Sequence, residues 1–208
     1  MIEAILAFTV AAMVLTVTPG LDTALVLRTA AASGPRPAAF AVVGIALGCL
    51  VWGAVVAVGL GALLAASSLA YTIVKYLGAA YLLWLGVQLL VKPRASFEGD
   101  AAAGPARGGD WSALGRGLLT NMLNPKVGLF YVTFLPQFVP SGADVASFSF
   151  LLASIHVLLG LVWLGLLVAA TIPMGRFLRR PGVVRTADRL TGGIFVTFGV
   201  KLALSRAP

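Results

Sequence analysis

The sequence predicts an all-α membrane protein. Six transmembrane helices form two inverted three-helix repeats, and proline interrupts the first helix of each half. Three observations predict this. Hydrophobic residues make up 60% of the 208 positions and charged residues 11%. Mean hydropathy is +1.00, whereas a soluble domain carries about 25% charged residues. Apolar runs close to the ~20 residues that span a hydrocarbon core recur along the chain. The basic residues gather in alternate linkers between those runs.

The first run covers 2–29 and contains "TVTPGLDTAL", with Pro19, Gly20 and Asp22 in place of cheap apolar residues. Its start carries Glu3 and no Lys or Arg, and no A-x-A site follows, so it reads as an uncleaved helix. The second run, 38–65, carries the small-xxx-small pair Gly44 and Gly48. The third covers 68–91 and completes a first repeat, 1–91. A polar, Gly- and Ala-rich linker, 92–117, follows. The second repeat, 118–208, holds runs at 118–139, 147–173 and 190–204. The Gly-rich faces permit a homodimer without requiring one.

Charge sets the orientation. Linkers one–two, three–four and five–six hold Arg28, Arg36, Lys92, Arg94, Arg107, Arg116, Arg176, Arg179, Arg180, Arg185 and Arg189. Only Arg206, with Lys201 near it, lies on the other side. By the positive-inside rule the basic linkers face the cytoplasm and both termini face outward. The net charge of +8 is therefore a matter of topology and lipid headgroups. No basic patch is interleaved with aromatics, so no nucleic-acid partner is expected.

An odd number of crossings per half inverts the second half relative to the first, as in many secondary transporters. Aligning Pro19 with Pro125 sets Thr18 opposite Asn124 and Gly20 opposite Lys126. Interrupted apolar segments at matching places point to a midplane site. Proline donates no amide hydrogen, so Pro19 frees the carbonyl of Leu15 and Pro125 that of Asn121. In hydrocarbon such groups need other partners, and Thr16, Thr18, Asn121 and Asn124 stand close by. Asp22 and Lys126 each cost about 2.5–3.5 kcal/mol at a bilayer centre on insertion scales, and pairing would lower both costs. The plainer readings are kinks without a transport role and a structural ion pair.

Lys75, one to two turns into the third run from the outer side, either snorkels to the interface or has a substrate or pairing role. His156, the one histidine, is either a satisfied core residue or a proton carrier. Gln88, Tyr76, Tyr81 and Tyr131 either line a path or mark interfaces, and Trp84, Trp111 and Trp163 fit interfaces. Cys49, the one cysteine, is a small buried hydrophobe. An intramembrane serine protease would need His156, but Ser154 two positions away points elsewhere on a helix. A metal carrier would want several carboxylates or a Cys/His cluster. No phosphate-binding Gly-rich loop is present, and no cofactor is expected. A passive channel of the same architecture stays open.

These residues resemble the LysE/RhtB family of bacterial lysine and threonine–homoserine exporters. "TPGLD" is similar to its first-helix motif, with Leu21 where a second proline is often found. "VKYLGAAYLLWLG" resembles its third-helix block and "NMLNPKVGLFYVTFLPQF" its fourth-helix signature. The resemblance covers nearly the whole chain. It implies a transporter rather than an enzyme, exporting amino acids or close derivatives across the bacterial inner membrane in exchange for protons. A zwitterion would find its carboxylate partner in Lys126 and its ammonium partner in Asp22 or the freed carbonyls. Thr16, Thr18, Asn121 and Asn124 would complete the substrate set, and Asp22 and His156 would be the proton carriers.

Overall fold

The computed structural model describes residues 1–66, 68–93, 109–140, 142–170, 177 and 180–204. No side chain is described at 60–66, 68–71, 74, 75, 201 and 202. Arg94, Arg107, Arg176, Arg179 and Arg206, and the side chains of Lys75 and Lys201, therefore lie outside the described set.

The described chain is helical, and several of its helices are strongly apolar. Helix α1 is Ile2–Val17 and α2 is Leu21–Ser33, with Pro19 between them. Helices α3, Pro35–Ala66, and α4, Ser68–Val91, follow. Helices α5, Asp110–Met122, and α6, Pro125–Leu129, are separated by a break at Leu123 and Asn124, just before Pro125. The chain then widens into a π turn, Phe130–Phe134, and tightens into a 3-10 turn, Leu135–Phe138. Pro136 has no amide for the carbonyl of Val132, which loosens the helix there. Helices α7, Val145–Ala169, and α8, Pro181–Leu204, complete the order.

Among the described residues, Pro35–Gly59 and Val145–Ala169 are each long and apolar enough to cross a membrane alone. The α1–α2 pair passes the same test as one span bent by 49°. Helix α1 shows why hydropathy is so high. Phe8, Ala11, Ala12 and Leu15 face the protein, while Leu6, Val10 and Met13 remain exposed. A helix apolar on every side suits lipid, not water.

Helix directions follow from the contacts. Along α3, Ala41, Gly44 and Gly48 meet Gly117, Leu114 and Asn121 of α5, so the two helices run parallel. Gly86 meets Gly192, and Gly199 meets Leu83, so α4 and α8 run antiparallel. A Cβ on Gly86 would stand 2.8 Å from the Gly192 carbonyl, which only glycine avoids at this spacing. Phe8 packs edge-on against Phe138 and tilted against Phe130, while Lys126 reaches Thr18. Helices α1 and α2 therefore run against the α5-to-Phe138 segment. Arg36 pairs with Asp110 at 2.9 Å, tying the starts of α3 and α5 together at the basic end.

Helix α8 starts at Pro181, whereas the apolar run starts at Leu190. Arg185, Asp188 and Arg189 end the hydropathy signal without ending the helix, because Arg is a good helix former and Pro181 occupies a first-turn position. Helix α5 likewise begins at Asp110, ahead of the run at 118.

Candidate functional site

The two proline breaks meet in the interior. Thr18 ends α1 in an extended conformation (φ −68°, ψ 119°), and Gly20 precedes α2, also extended. The carbonyl of Leu15, which Pro19 cannot serve, accepts a hydrogen bond from Lys126 Nζ at 3.0 Å. The Thr18 carbonyl accepts a second from the same ammonium at 3.0 Å. Lys126 thus occupies the gap that Pro19 opens. A Cβ on Gly20 would stand 3.3 Å from that Nζ, so Gly20 gives the ammonium room.

The second break is self-contained. Asn124 is extended (ψ 107°), its amide donates to the Asn121 carbonyl at 3.0 Å, and its side chain accepts from the Lys126 amide at 3.1 Å. The freed Asn121 carbonyl is therefore met within its own turn.

Asp22 sits in the first turn of α2, across from α5. Its Oδ2 accepts from Asn121 Nδ2 at 2.9 Å, and its buried Oδ1 has no hydrogen-bond partner among the described residues. Asn121 is 0% exposed and also reaches Cys49 Sγ at 3.4 Å. Gly48 makes this possible, since a Cβ there would stand 2.9 Å from that of Asn121. Asp22 and Lys126 share one cavity, but in the contacts described Asp22 answers Asn121 and Lys126 answers backbone. Thr16 returns its hydroxyl to the Ala12 carbonyl. Thr18 bonds its own helix at Val14 and also meets the Thr191 hydroxyl at 2.7 Å. His156, buried, shares a 3.1 Å hydrogen bond with the Tyr131 hydroxyl. Ser154 instead donates to the Phe150 carbonyl of its own helix, away from His156.

Two cavities flank this junction. The smaller, ≈ 50 Å³, is lined by Thr16, Asp22, Cys49, Asn124 and His156, with apolar residues of α3 and α7. The larger, ≈ 400 Å³, is lined by Tyr81 and Gln88 of α4, by Lys92 just after it, and by Asp188, Thr191 and Phe195 of α8. Thr18 and Lys126 border both.

Asp188 is a second buried carboxylate, outside the apolar runs marked by hydropathy. It is 0% exposed. The signal lay in its spacing. Val184, Asp188, Thr191 and Phe195 form one helical face, and all four are buried. Cutting the sixth run at Leu190 left Asp188 in a linker.

A family model for LysE type translocators matches residues 13–206. The uncharacterized membrane protein YrhP of Bacillus subtilis (strain 168) is 33% identical over 210 residues, covering 98% of this chain and 100% of that one. A leucine efflux protein of Klebsiella pneumoniae is 30% identical over 202 residues, covering 95% of this chain and 93% of its own. One from Enterobacter (strain 638) is 32% identical over 200 residues, covering 94% and 93%. No solved structure matches. The match spans both proline breaks and the helices that enclose the two cavities, and the chain belongs to the LysE type translocator family.

Proposed function

We propose that this chain is a secondary transporter of the bacterial inner membrane that exports amino acids from the cytoplasm in exchange for protons. The family membership and the leucine efflux relatives support amino-acid export. The single observation that carries the mechanism is the meeting of the two breaks, with Lys126 Nζ held 3.0 Å from the Leu15 and Thr18 carbonyls beside the cavity that holds Asp22. A zwitterion needs a cation and an acceptor within a few ångströms of each other in a place shielded from water. Lys126 supplies the first, and Asp22 or the freed carbonyls the second. Asn121, Asn124, Thr16 and Thr18 complete the polar wall.

The architecture in this reading is six crossings in two inverted repeats. Support comes from helix direction: α3 and α5 run parallel, and α4 and α8 antiparallel, as six alternating crossings require. Gly20 and Lys126, the residues after the two prolines, also meet, as equivalent positions near a pseudo-two-fold axis do. The basic ends then face the cytoplasm and both termini the periplasm.

The coupling step is a proton on Asp22. Its Oδ1 meets no hydrogen-bond donor among the described residues, so a proton or a substrate ammonium can satisfy it. Binding one excludes the other, and that exclusion is what exchange requires. His156, on the same cavity with Tyr131, is the second proton carrier in this account.

Proteoliposomes loaded with the common amino acids, given a proton gradient and analysed by mass spectrometry, test the reading. Release of a small apolar set, dependent on the gradient, is expected. Release of no amino acid would end it, and conductance without saturation would favour a channel.

A further inference from the structure

The smaller cavity, ≈ 50 Å³, holds only a few water molecules at ~10–15 Å³ each by the same measure. The larger, ≈ 400 Å³, falls within the range of small-molecule sites, ~300–1,000 Å³. In this conformation the space for an amino acid therefore lies on the far side of the Lys126 junction from Asp22.

We propose that the larger cavity is a second amino-acid-binding compartment, in which Asp188 accepts the substrate ammonium, Lys126 meets the carboxylate, and Leu85, Leu89 and Phe195 seat an apolar side chain. The inference rests on the amino-acid export reading above. It adds a compartment that the Asp22 site does not contain.

The chemistry of the wall fits that ligand and few others. A carboxylate and an ammonium on one cavity match the two charges of a zwitterion. Asp188 is buried on the same helical face as Thr191 and Phe195, so the α8 register sets acceptor, hydroxyl and apolar seat side by side. Leu85 and Leu89 of α4 add a second apolar side. A divalent cation would meet one carboxylate with Lys126 and Lys92 on the same wall, an arrangement that repels it.

The position fits loading from the cytoplasm. Lys92 directly follows α4 at the basic end, and its amide donates to the carbonyl of Gln88 one turn before it. At the other side the compartment is closed by Thr18, whose hydroxyl meets Thr191 at 2.7 Å, and by Lys126. Thr18 and Lys126 also border the Asp22 cavity, so they are the wall between the two. Passage from the Asp188 compartment to the Asp22 cavity opens the Thr18–Thr191 contact and swings the Lys126 ammonium from the carbonyls to the substrate.

The test is equilibrium binding of radiolabelled leucine to the full chain in nanodiscs. Competitors are unlabelled leucine, 4-methylpentanoate, which lacks the ammonium, and isoamylamine, which lacks the carboxylate. In the parent, each half-analogue competes at least about tenfold more weakly than leucine, the scale of one hydrogen bond to a charged group. Asp188→Asn weakens leucine about tenfold or more and leaves 4-methylpentanoate unchanged, so the preference for the ammonium disappears. A variant that merely loosened the fold would weaken both alike. Parent-like discrimination in Asp188→Asn overturns the proposal. Should that variant not be monodisperse, Leu85→Trp decides: the filled compartment abolishes leucine binding, and unchanged affinity overturns the proposal. A parent that exports some amino acid but binds no leucine sinks this inference alone. A parent that exports no amino acid sinks the export reading beneath it.

Discussion

Lys126 holds open a gap that Pro19 creates, so its removal has a computable cost. In Lys126→Met the carbonyls of Leu15 and Thr18 lose their donor, each now at 3.0 Å from Nζ. An unpaired buried carbonyl costs roughly 2–7 kcal/mol, and nearby cavity water holds it toward the low end, about 3 kcal/mol each. Removing the ammonium recovers about 3 kcal/mol of insertion cost. The carbonyl loss wins by ~3 kcal/mol. At about 2–4 °C per kcal/mol for a chain of this size, the thermal midpoint falls by about 6–12 °C. Unfolding in detergent, followed by tryptophan fluorescence, reads this directly. A second variant sharpens it. Pro19→Ala returns an amide to the Leu15 carbonyl, so Pro19→Ala/Lys126→Met regains part of the loss instead of adding to it. An unchanged midpoint in Lys126→Met, or strictly additive losses in the pair, would refute the assignment of Lys126 to those carbonyls.

Three further outcomes are expected. Gly48→Ala drives a methyl into Asn121, whose Cβ would be 2.9 Å away, and overpacking of that kind costs about 1–3 kcal/mol. Its midpoint falls, and gradient-driven leucine release falls with it because Asn121 no longer holds Asp22. Thr18→Val and Thr191→Val, singly and together, form a double-mutant cycle on the 2.7 Å contact, with an expected coupling of about 1 kcal/mol in thermal unfolding. Asp144 caps α7 by accepting from the Ser147 amide at 2.8 Å, and hydrogen bonds from the Ser147 hydroxyl and then that amide lower its carboxyl pKa from the ordinary value. That stabilisation is present above the unfolded-state pKa and disappears as pH falls through the lower folded-state value. Asp144→Ala therefore lowers the midpoint at neutral pH and matches the parent in strong acid, which a pH series of melts checks.

Composition and proline placement made the apolar, all-helical character and the two helix breaks legible. The helix breaks fall at Thr18–Gly20 and Leu123–Asn124, beside the prolines, because a missing amide acts locally whatever surrounds it. The partners of the freed carbonyls were not legible. Lys126 lies 111 positions from Leu15, and only the packed interior brings it there. Hydropathy misled at α8. A sliding apolar run stops at Arg189, although the buried face continues from Phe195 back through Thr191 and Asp188 to Val184. The Gly44–Gly48 pair was visible, but not that it receives α5, with Gly48 making room for Asn121. Periodicity reads one helix at a time, whereas a binding site belongs to several.

The most direct test of the account is leucine efflux from loaded proteoliposomes, with and without a pH gradient, for the parent and Asp22→Asn. The account predicts saturable efflux that the gradient accelerates in the parent. In Asp22→Asn the acceleration disappears, because no carboxylate remains to exchange an ammonium for a proton. Efflux from Asp22→Asn that responds to the gradient as the parent does would contradict it.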